Sequence, residues 1–350
     1  MNNKLNKVVK DQSEYIAHLE HRLESITSST LWKLTKPFRI IAKGCKKIYR
    51  NNRCLSGEAR EAQTKKVSCE IKTINTLIYD HDFSYAQSIT FSKPQGSICC
   101  IFAHYDTNNI IDEYVIAYLK SLKTIKNLYI IFVTTCIDIS EYELNKLKCL
   151  VSSAIIRENV CSDFGSYKVG YDFIKKNSYS INTLIIANDS SYCISDDLET
   201  YFNGMQSKGY DAWGFTDSDN INYHLQSYFM VFNEKVIESI PFKYFWADLK
   251  NITDFRVLVQ MYEVGLSVLL QLYGFNIGAF CSIKNISKWN VGTDLSLEEY
   301  DLLVQEYNYP FIKRKSLLAN EKFINALRNP LIINHFDRVT ELGKINENQK

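Results

Sequence analysis

The most constraining feature of the chain is the stretch 183–192, in which the apolar run 184–187 leads straight into Asn188-Asp189-Ser190. A short apolar run bounded by turn-prone residues reads as a buried strand of an α/β sheet. Open α/β sheets bind ligands in the crevice outside the carboxyl ends of their strands. Asp189 is thereby placed to meet a phosphate-bearing ligand, directly or through a divalent metal that takes carboxylate oxygen. The plainer alternative is a turn or a helix cap.

Three further runs have the same character. Residues 97–103 stop at His104-Tyr-Asp-Thr-Asn-Asn109, residues 128–133 form a second buried strand, and the shorter run 150–156 ends at Arg157. Between them lie apolar positions at helical spacing over 110–122, a helix over 139–148, and a loop at 157–170 that enters a helix. Strand–helix alternation at this spacing predicts a parallel sheet with right-handed crossovers. Beyond Tyr192 the pattern changes to a helix over 195–208, a strand over 224–232, a short helix over 236–240, a long helix over 254–272 and an extended run at 276–280. The charged end, 336–350, reads as frayed.

Composition narrows the class. A hydrophobic fraction of 46% is ample for a core, and a net charge of +2 argues against both a disordered chain and a basic nucleic-acid binder. The ten cysteines form no CxxC pair and no ligand cluster with histidine, which reads as reduced cytosolic thiols without structural zinc. The start, Met1-Asn-Asn-Lys, leads into a polar helical pattern rather than a signal peptide, and no uncharged apolar run is long enough to cross a bilayer. Residues 4–28 carry an amphipathic or coiled-coil pattern that could pair two copies, and 44–73 are basic and little patterned. Between them, Trp32, Leu34, Phe38, Ile40 and Ile41 interleave with Lys33, Lys36, Arg39 and Lys43. That segment fits an anionic membrane surface or a helix docked on protein.

Four clusters fall at strand ends or helix starts: His104/Tyr105/Asp106, Arg157/Asn159/Asp163, Asn188/Asp189/Ser190, and Glu263 in Tyr262-Glu-Val-Gly-Leu-Ser267. Their order and spacing resemble a GT-A glycosyltransferase, a nucleotide-sugar enzyme with a Rossmann-type, mostly parallel sheet flanked by helices. In that class a strand ends in an Asp-x-Asp metal and diphosphate motif, and a later Glu-bearing helix brings the catalytic base, here Glu263. Several segments resemble more closely the rhamnan synthesis protein F family of cell-surface polysaccharide assembly. They are Arg157-Glu-Asn-Val-Cys-Ser-Asp-Phe-Gly-Ser-Tyr-Lys-Val-Gly, Ala187-Asn-Asp-Ser-Ser-Tyr, Trp213-Gly-Phe-Thr-Asp-Ser, His224-Leu-Gln-Ser-Tyr-Phe and Tyr309-Pro-Phe-Ile-Lys-Arg-Lys-Ser-Leu, within about 97–330. Two positions depart from the expected pattern: Cys161 stands where glycine is expected, and Asn188-Asp189-Ser190 lacks the outer carboxylates of Asp-x-Asp.

The resemblance implies a glycosyltransferase domain over 74–335, preceded by a helical extension and basic linker at 1–73 and followed by a charged tail at 336–350. The implied reaction is an inverting transfer of a sugar, L-rhamnose from a deoxythymidine-diphosphate donor, to a glycan or lipid-linked glycan acceptor at the inner face of the membrane. Implied donor contacts are His104, Tyr105, Asp106, Arg157, Asn159, Asp163, Lys168, Asn188, Asp189 and Ser190, with magnesium or manganese on Asp189. Without a metal, Lys168 or Arg157 would neutralise the leaving group. Trp213, His224 and Gln226 are acceptor contacts or, respectively, core and satisfied structural residues. Asp163 is a donor contact or the N-cap of the next helix. A non-catalytic scaffold of the same fold is the rival reading.

Overall fold

The computed structural model describes residues 78–79, 83–85, 87–286, 294–318 and 329–347. The helical and basic patterns read within 1–73 lie outside them. Packing divides the chain into a unit of Asp80–Asn251 with Leu266–Lys350 and a second unit of Met1–Tyr79 with Ile252–Gly265.

The first unit is built on a nine-stranded sheet. Its strands are β1 (Gln87–Thr90), β2 (Ile98–His104), β3 (Leu128–Thr134), β4 (Ser153–Ile156) and β5 (Thr183–Asn188). After β5 comes β6 (Ser191–Cys193), which belongs to a separate small sheet; the large sheet continues with β7 (Ala212–Ser218), β8 (His224–Leu225), β9 (Phe229–Asn233) and β10 (Ile277–Cys281). The order across the large sheet is β10-β7-β9-β5-β2-β3-β4-β1, with β8 paired to β7. All four apolar runs read from the sequence are strands, and β3 and β5 are buried at every position. Burial on both faces explains why they read as continuous apolar runs rather than alternating ones. Helices Glu113–Leu122 and Ser162–Lys176 follow β2 and β4, as crossovers between parallel strands require.

The sheet is mixed, not mostly parallel. Strands β5, β2, β3 and β4 pair in parallel, whereas β9 runs antiparallel between β5 and β7, and β1 runs antiparallel along β4. The cause is connection length: ten residues separate β7 from β9, and part of that stretch, β8, folds back on β7. A parallel return needs a dozen or more residues. Because β9 is antiparallel to both neighbours, β7 points the same way as β5. Its end, Thr216-Asp217-Ser218, therefore reaches the same edge of the sheet as Asn188 and His104.

Other differences are local. The expected strand over 224–232 is interrupted by a turn at Ser227-Tyr228, which hands the chain from β7 to its place between β7 and β5. A helix not read from the sequence, Ile240–Ala247, lies between the two expected over 236–240 and 254–272, with Ser239 accepting from the Phe242 N–H and Pro241 in the first turn. Of the end read as frayed, 336–350, residues 336–347 lie within the helix Pro330–Glu347.

In the second unit Asp254 caps the helix Phe255–Leu258, its Oδ1 accepting from the N–H groups of Arg256 (2.9 Å) and Val257 (3.0 Å). A π-helical segment, Val259–Val264, follows and passes into the helix Gly265–Leu272. The sequence pattern gave no sign of the π turn. The run Phe255–Leu272, with a mean hydropathy of 1.3, has the length of a minimal membrane span. Core helices meet the same test, and this run includes Arg256 and Glu263.

Candidate functional site

Parallel pairing in register carries the polar ends of β2 and β5 to one point. Asn188 stands beside Ala103, and the Asp189 N–H donates to the Ala103 carbonyl at 3.3 Å. The Tyr105 N–H in turn donates to Asp189 Oδ2 at 3.4 Å. His104, buried, bonds Thr134 Oγ1 through Nδ1 at 3.0 Å and sets Nε2 4.0 Å from Asp189 Oδ2. Burial, reinforced by the Arg314 charge, lowers the His104 pKa to about 3, so its imidazole is neutral at physiological pH. The contact with Asp189 is thus between a neutral ring and a carboxyl, not an ion pair.

Asp189 is 7% exposed. Burial pushes its carboxyl up to about 7, against the Arg314 guanidinium and the Tyr105 N–H, which favour the ionised form; Asp163 and Asp106 add to the upward shift. Near neutral pH this group stands poised between protonated and ionised.

Arg314 is the site residue to which sequence reasoning assigned no role. It lies in the quoted segment 309–317, but the strand that positions it, β11 (Phe311–Lys313), was not predicted. Pairing of β11 with β6 sets Lys313 opposite Ser191, and the Arg314 N–H donates to the Ser190 carbonyl at 3.0 Å. Arg314 Nη1 then donates to Tyr114 Oη at 2.7 Å and to the Asp189 carbonyl at 3.2 Å, and lies 3.5 Å from Asp189 Oδ2. Its side chain remains 32% exposed.

A polar network extends from this point. Tyr192 Oη bonds His335 Nδ1 at 2.6 Å, and His335 Nε2 lies 3.4 Å from Asp112 Oδ2. Burial lowers the His335 pKa to about 3, so a neutral ring accepting from Tyr192 and donating to Asp112 satisfies all three groups. Arg338 pairs with Asp112 and reaches Asp106 Oδ2 at 3.6 Å, while Asp106 Oδ1 accepts from the Asn108 N–H at 2.8 Å. Residues from three distant parts of the chain meet here, and no local motif announces such a meeting.

The other candidates divide between the site and the scaffold. Asn188 and Asp163 belong together: Asn188 Nδ2 donates to Asp163 Oδ2 at 2.7 Å, and Asn188 Oδ1 accepts from Ser190 N (3.1 Å) and Oγ (2.6 Å). Asp163 is not the N-cap; Cys161 holds that position, and the helix begins at Ser162. Arg157 is enclosed by the protein. It is 1% exposed, with Nε donating to the Glu158 carbonyl (2.8 Å), Nη1 to Ser166 Oγ (3.1 Å) and Nη2 to the Val160 carbonyl. Gly165 permits this packing, because a Cβ there would fall 2.5 Å from Arg157 Nη1. Asn159 is exposed in the same loop. Lys168 pairs with Asp172 one helical turn away, at 2.6 Å.

The three acceptor candidates are all buried. Trp213, 1% exposed among Phe202, Phe215 and Phe229, has no open face for a sugar and is core. Gln226 is buried with both polar atoms engaged, accepting from Thr216 Oγ1 and donating to Asp294 Oδ2 at 3.0 Å. His224 is buried and bonds the Asn222 carbonyl through Nδ1 at 2.7 Å. Glu263 is half-buried within the π-helical segment of the second unit.

The model of the family described as rhamnan synthesis protein F matches residues 130–342. The chain belongs to that family. The match takes in β5, the Arg157 loop, Asp189 and Arg314, so the family segments quoted from the sequence fall on the site and on the scaffold directly behind it. Among curated relatives, an uncharacterized protein, y4gN of Sinorhizobium fredii, is 27% identical over 258 residues, covering 68% of this chain and 66% of that protein. The virulence protein VirA of Vibrio anguillarum is 31% identical over 175 residues, covering 46% of this chain and 50% of that protein. The chain thus spans about two thirds of the first relative's length and half of the second's.

Solved structures give weaker likenesses. The 4-diphosphocytidyl-2C-methyl-D-erythritol synthase of Anaerococcus prevotii is 13% identical with a TM-score of 0.36, covering 61% of this chain and 96% of its own. Core-mannan synthase A of Aspergillus fumigatus, in a Mn/GDP form, is 10% identical with a TM-score of 0.32, covering 58% and 77%. Likenesses at this level carry no argument about ligand or reaction.

Proposed function

We propose that this chain is a glycosyltransferase of cell-surface polysaccharide assembly that moves a sugar from a nucleoside-diphosphate donor to a glycan hydroxyl. The observation that carries the reading is the convergence of His104, Tyr105, Asp106, Asn188, Asp189 and Arg314 at one edge of a sheet in a rhamnan synthesis family protein. That edge is where α/β sheets hold nucleotides. The finer reading is an inverting transfer of L-rhamnose from a deoxythymidine-diphosphate donor, with a glycan or lipid-linked glycan acceptor at the cytoplasmic face of the membrane.

In this reading the acceptor oxygen attacks the anomeric carbon, and the bond from that carbon to the diphosphate breaks with its electron pair on the diphosphate. The family resemblance assigns Glu263 the part of the base for the acceptor proton. The expected divalent metal fits the chain poorly. Among the described residues no group of three or more His, Cys, Asp or Glu side chains could hold one. Asp189 is already paired with Arg314, and Asn188 Oδ1 is engaged by Ser190. No step is therefore assigned to a metal.

The test is a screen of nucleotide sugars for thermal stabilisation and for sugar release. A thymidine or uridine diphosphate sugar is expected to score, since a ligand that binds only the folded chain raises its apparent stability. Glu263→Gln should retain donor binding and lose roughly 10²–10⁴-fold in turnover. Binding of no nucleotide sugar by the folded protein would replace the enzyme with a scaffold of the same fold.

A further inference from the structure

Resting on that reading, we propose that Arg314 and Lys313 form the cation pair that receives the donor's diphosphate, in place of a divalent metal. Lys313 ends β11 and Arg314 follows it directly, with Lys313 reaching toward Asp294 and Arg314 toward Tyr114 and Asp189. Arg314 is fastened by Nη1 to Tyr114 Oη and to Asp189, with the Tyr114 ring 5.5 Å from its Cζ. Its Nε and Nη2 make no hydrogen bond among the described residues, and the side chain is about one-third open to solvent. A guanidinium held at one nitrogen and open at the others is pre-organised to meet phosphate oxygens through its fork.

Lys313 is 20% exposed at its side chain. Its ammonium lies 5.1 Å from the Tyr228 ring centre and 3.8 Å from Asp294 Oδ2, a separation that leaves the pairing loose. Asp294 is already occupied by the Ser296 N–H (3.0 Å), Ser296 Oγ (2.6 Å) and Gln226. The ammonium can therefore turn toward a phosphate without stranding the carboxylate.

Asp189 gains a role consistent with its surroundings. In a metal-dependent site it would bind the ion; here its backbone carbonyl and side chain orient the guanidinium, which makes it a positioning residue. Fixed cations aimed at the leaving group supply the charge neutralisation that the reaction demands. The two basic residues first suggested for that task are spent elsewhere, Arg157 on buried carbonyls and Lys168 on Asp172.

The experiment is calorimetric titration of the full chain with thymidine diphosphate and uridine diphosphate, in excess EDTA and again in magnesium. Affinity is expected to be equal in the two conditions. Arg314→Gln should weaken binding roughly 10–100-fold, since hydrogen bonds to charged groups are lost. Arg314→Lys, which keeps the charge without the fork, should weaken it by less, and Lys313→Gln by about 3–10-fold. Lys315→Gln, the same charge change one residue on, should leave affinity as it is. Circular dichroism of each variant separates lost binding from lost folding, and Arg314→Lys serves should Arg314→Gln fail to fold. Binding that requires magnesium, or that survives both Arg314 substitutions in folded protein, overturns the proposal while the glycosyltransferase reading stands. Binding of neither diphosphate in either condition overturns both.

Discussion

Two arginines, one following β4 of the large sheet and one following β11 of the small one, have opposite fates. Arg157, at the end of β4, is enclosed, and its guanidinium donates to the carbonyls of Glu158 and Val160 and to Ser166 Oγ. Arg314, just past β11, is held by a single nitrogen against Tyr114 and Asp189 and keeps about one-third of its side chain in solvent. Both lie in segments typical of the family, so residue type and motif do not tell them apart. What separates them is how many of their donors the protein itself uses. A fully engaged guanidinium stabilises a loop, and a partly engaged one is available to a ligand.

The largest effect that would break this contrast is on stability. Arg157→Ala is expected to destabilise the fold by on the order of 3–5 kcal/mol, because it strands buried carbonyls. Arg314→Gln, at a partly exposed pair, should stay within about 1 kcal/mol of the parent. Urea unfolding of the two variants decides it, and a reversed order would mean that the two roles have been exchanged.

The next prediction uses the partner of Arg314. Burial raises the folded-state pKa of Asp189 to about 7, above its unfolded value, so the folded chain binds this proton more tightly. Stability from this group is then greatest at low pH, falls as pH rises between about 4 and 7, and is level above that, with a slope of up to about 1.4 kcal/mol per pH unit. Asp189→Asn should remove that slope from the pH profile of unfolding free energy. An unchanged profile would show that the carboxyl is not held in this environment.

Smaller effects sharpen the account of the Arg157 loop. Ser166→Ala removes one charge-assisted bond to Arg157 and should cost about 1–2 kcal/mol in the same urea assay. Cys161 has φ 60° and ψ 29°, the left-handed conformation that glycine adopts without strain. That is the physical reason why glycine is expected there. Cys161→Gly exchanges backbone strain for chain entropy and a lost buried thiol, and should move stability by no more than about 1 kcal/mol. A larger loss would show that the thiol's packing outweighs the strain.

The comparison also bears on what could be read from sequence. The buried strands were legible because apolar runs ending in polar residues have few other interpretations, and Asp189 was legible as the end of one such run. Trp213 and Gln226 were not, because an aromatic and an amide look alike in sequence whether they face a sugar or a core. Only the surrounding Phe202, Phe215 and Phe229, and the partners Thr216 and Asp294, settle which. The strand holding β9 was expected, but its antiparallel direction was not, because apolar content records burial and not strand direction. The helix Pro330–Glu347 was missed because its charges resemble those of a solvated tail, although it carries His335 and Arg338 to Asp112.

The sequence by itself determined the α/β class, the four apolar runs that became β2 to β5, the family and the position of Asp189 at a strand end. These follow from short-range patterns: hydrophobic periodicity, turn residues and ordered motifs. Tertiary structure alone decided that Arg314 rather than Arg157 stands beside Asp189, 125 positions away along the chain. It also decided that burial brings the Asp189 carboxyl to about 7. Desolvation and the spending of hydrogen-bond donors depend on which groups meet in space, and sequence distance does not encode that.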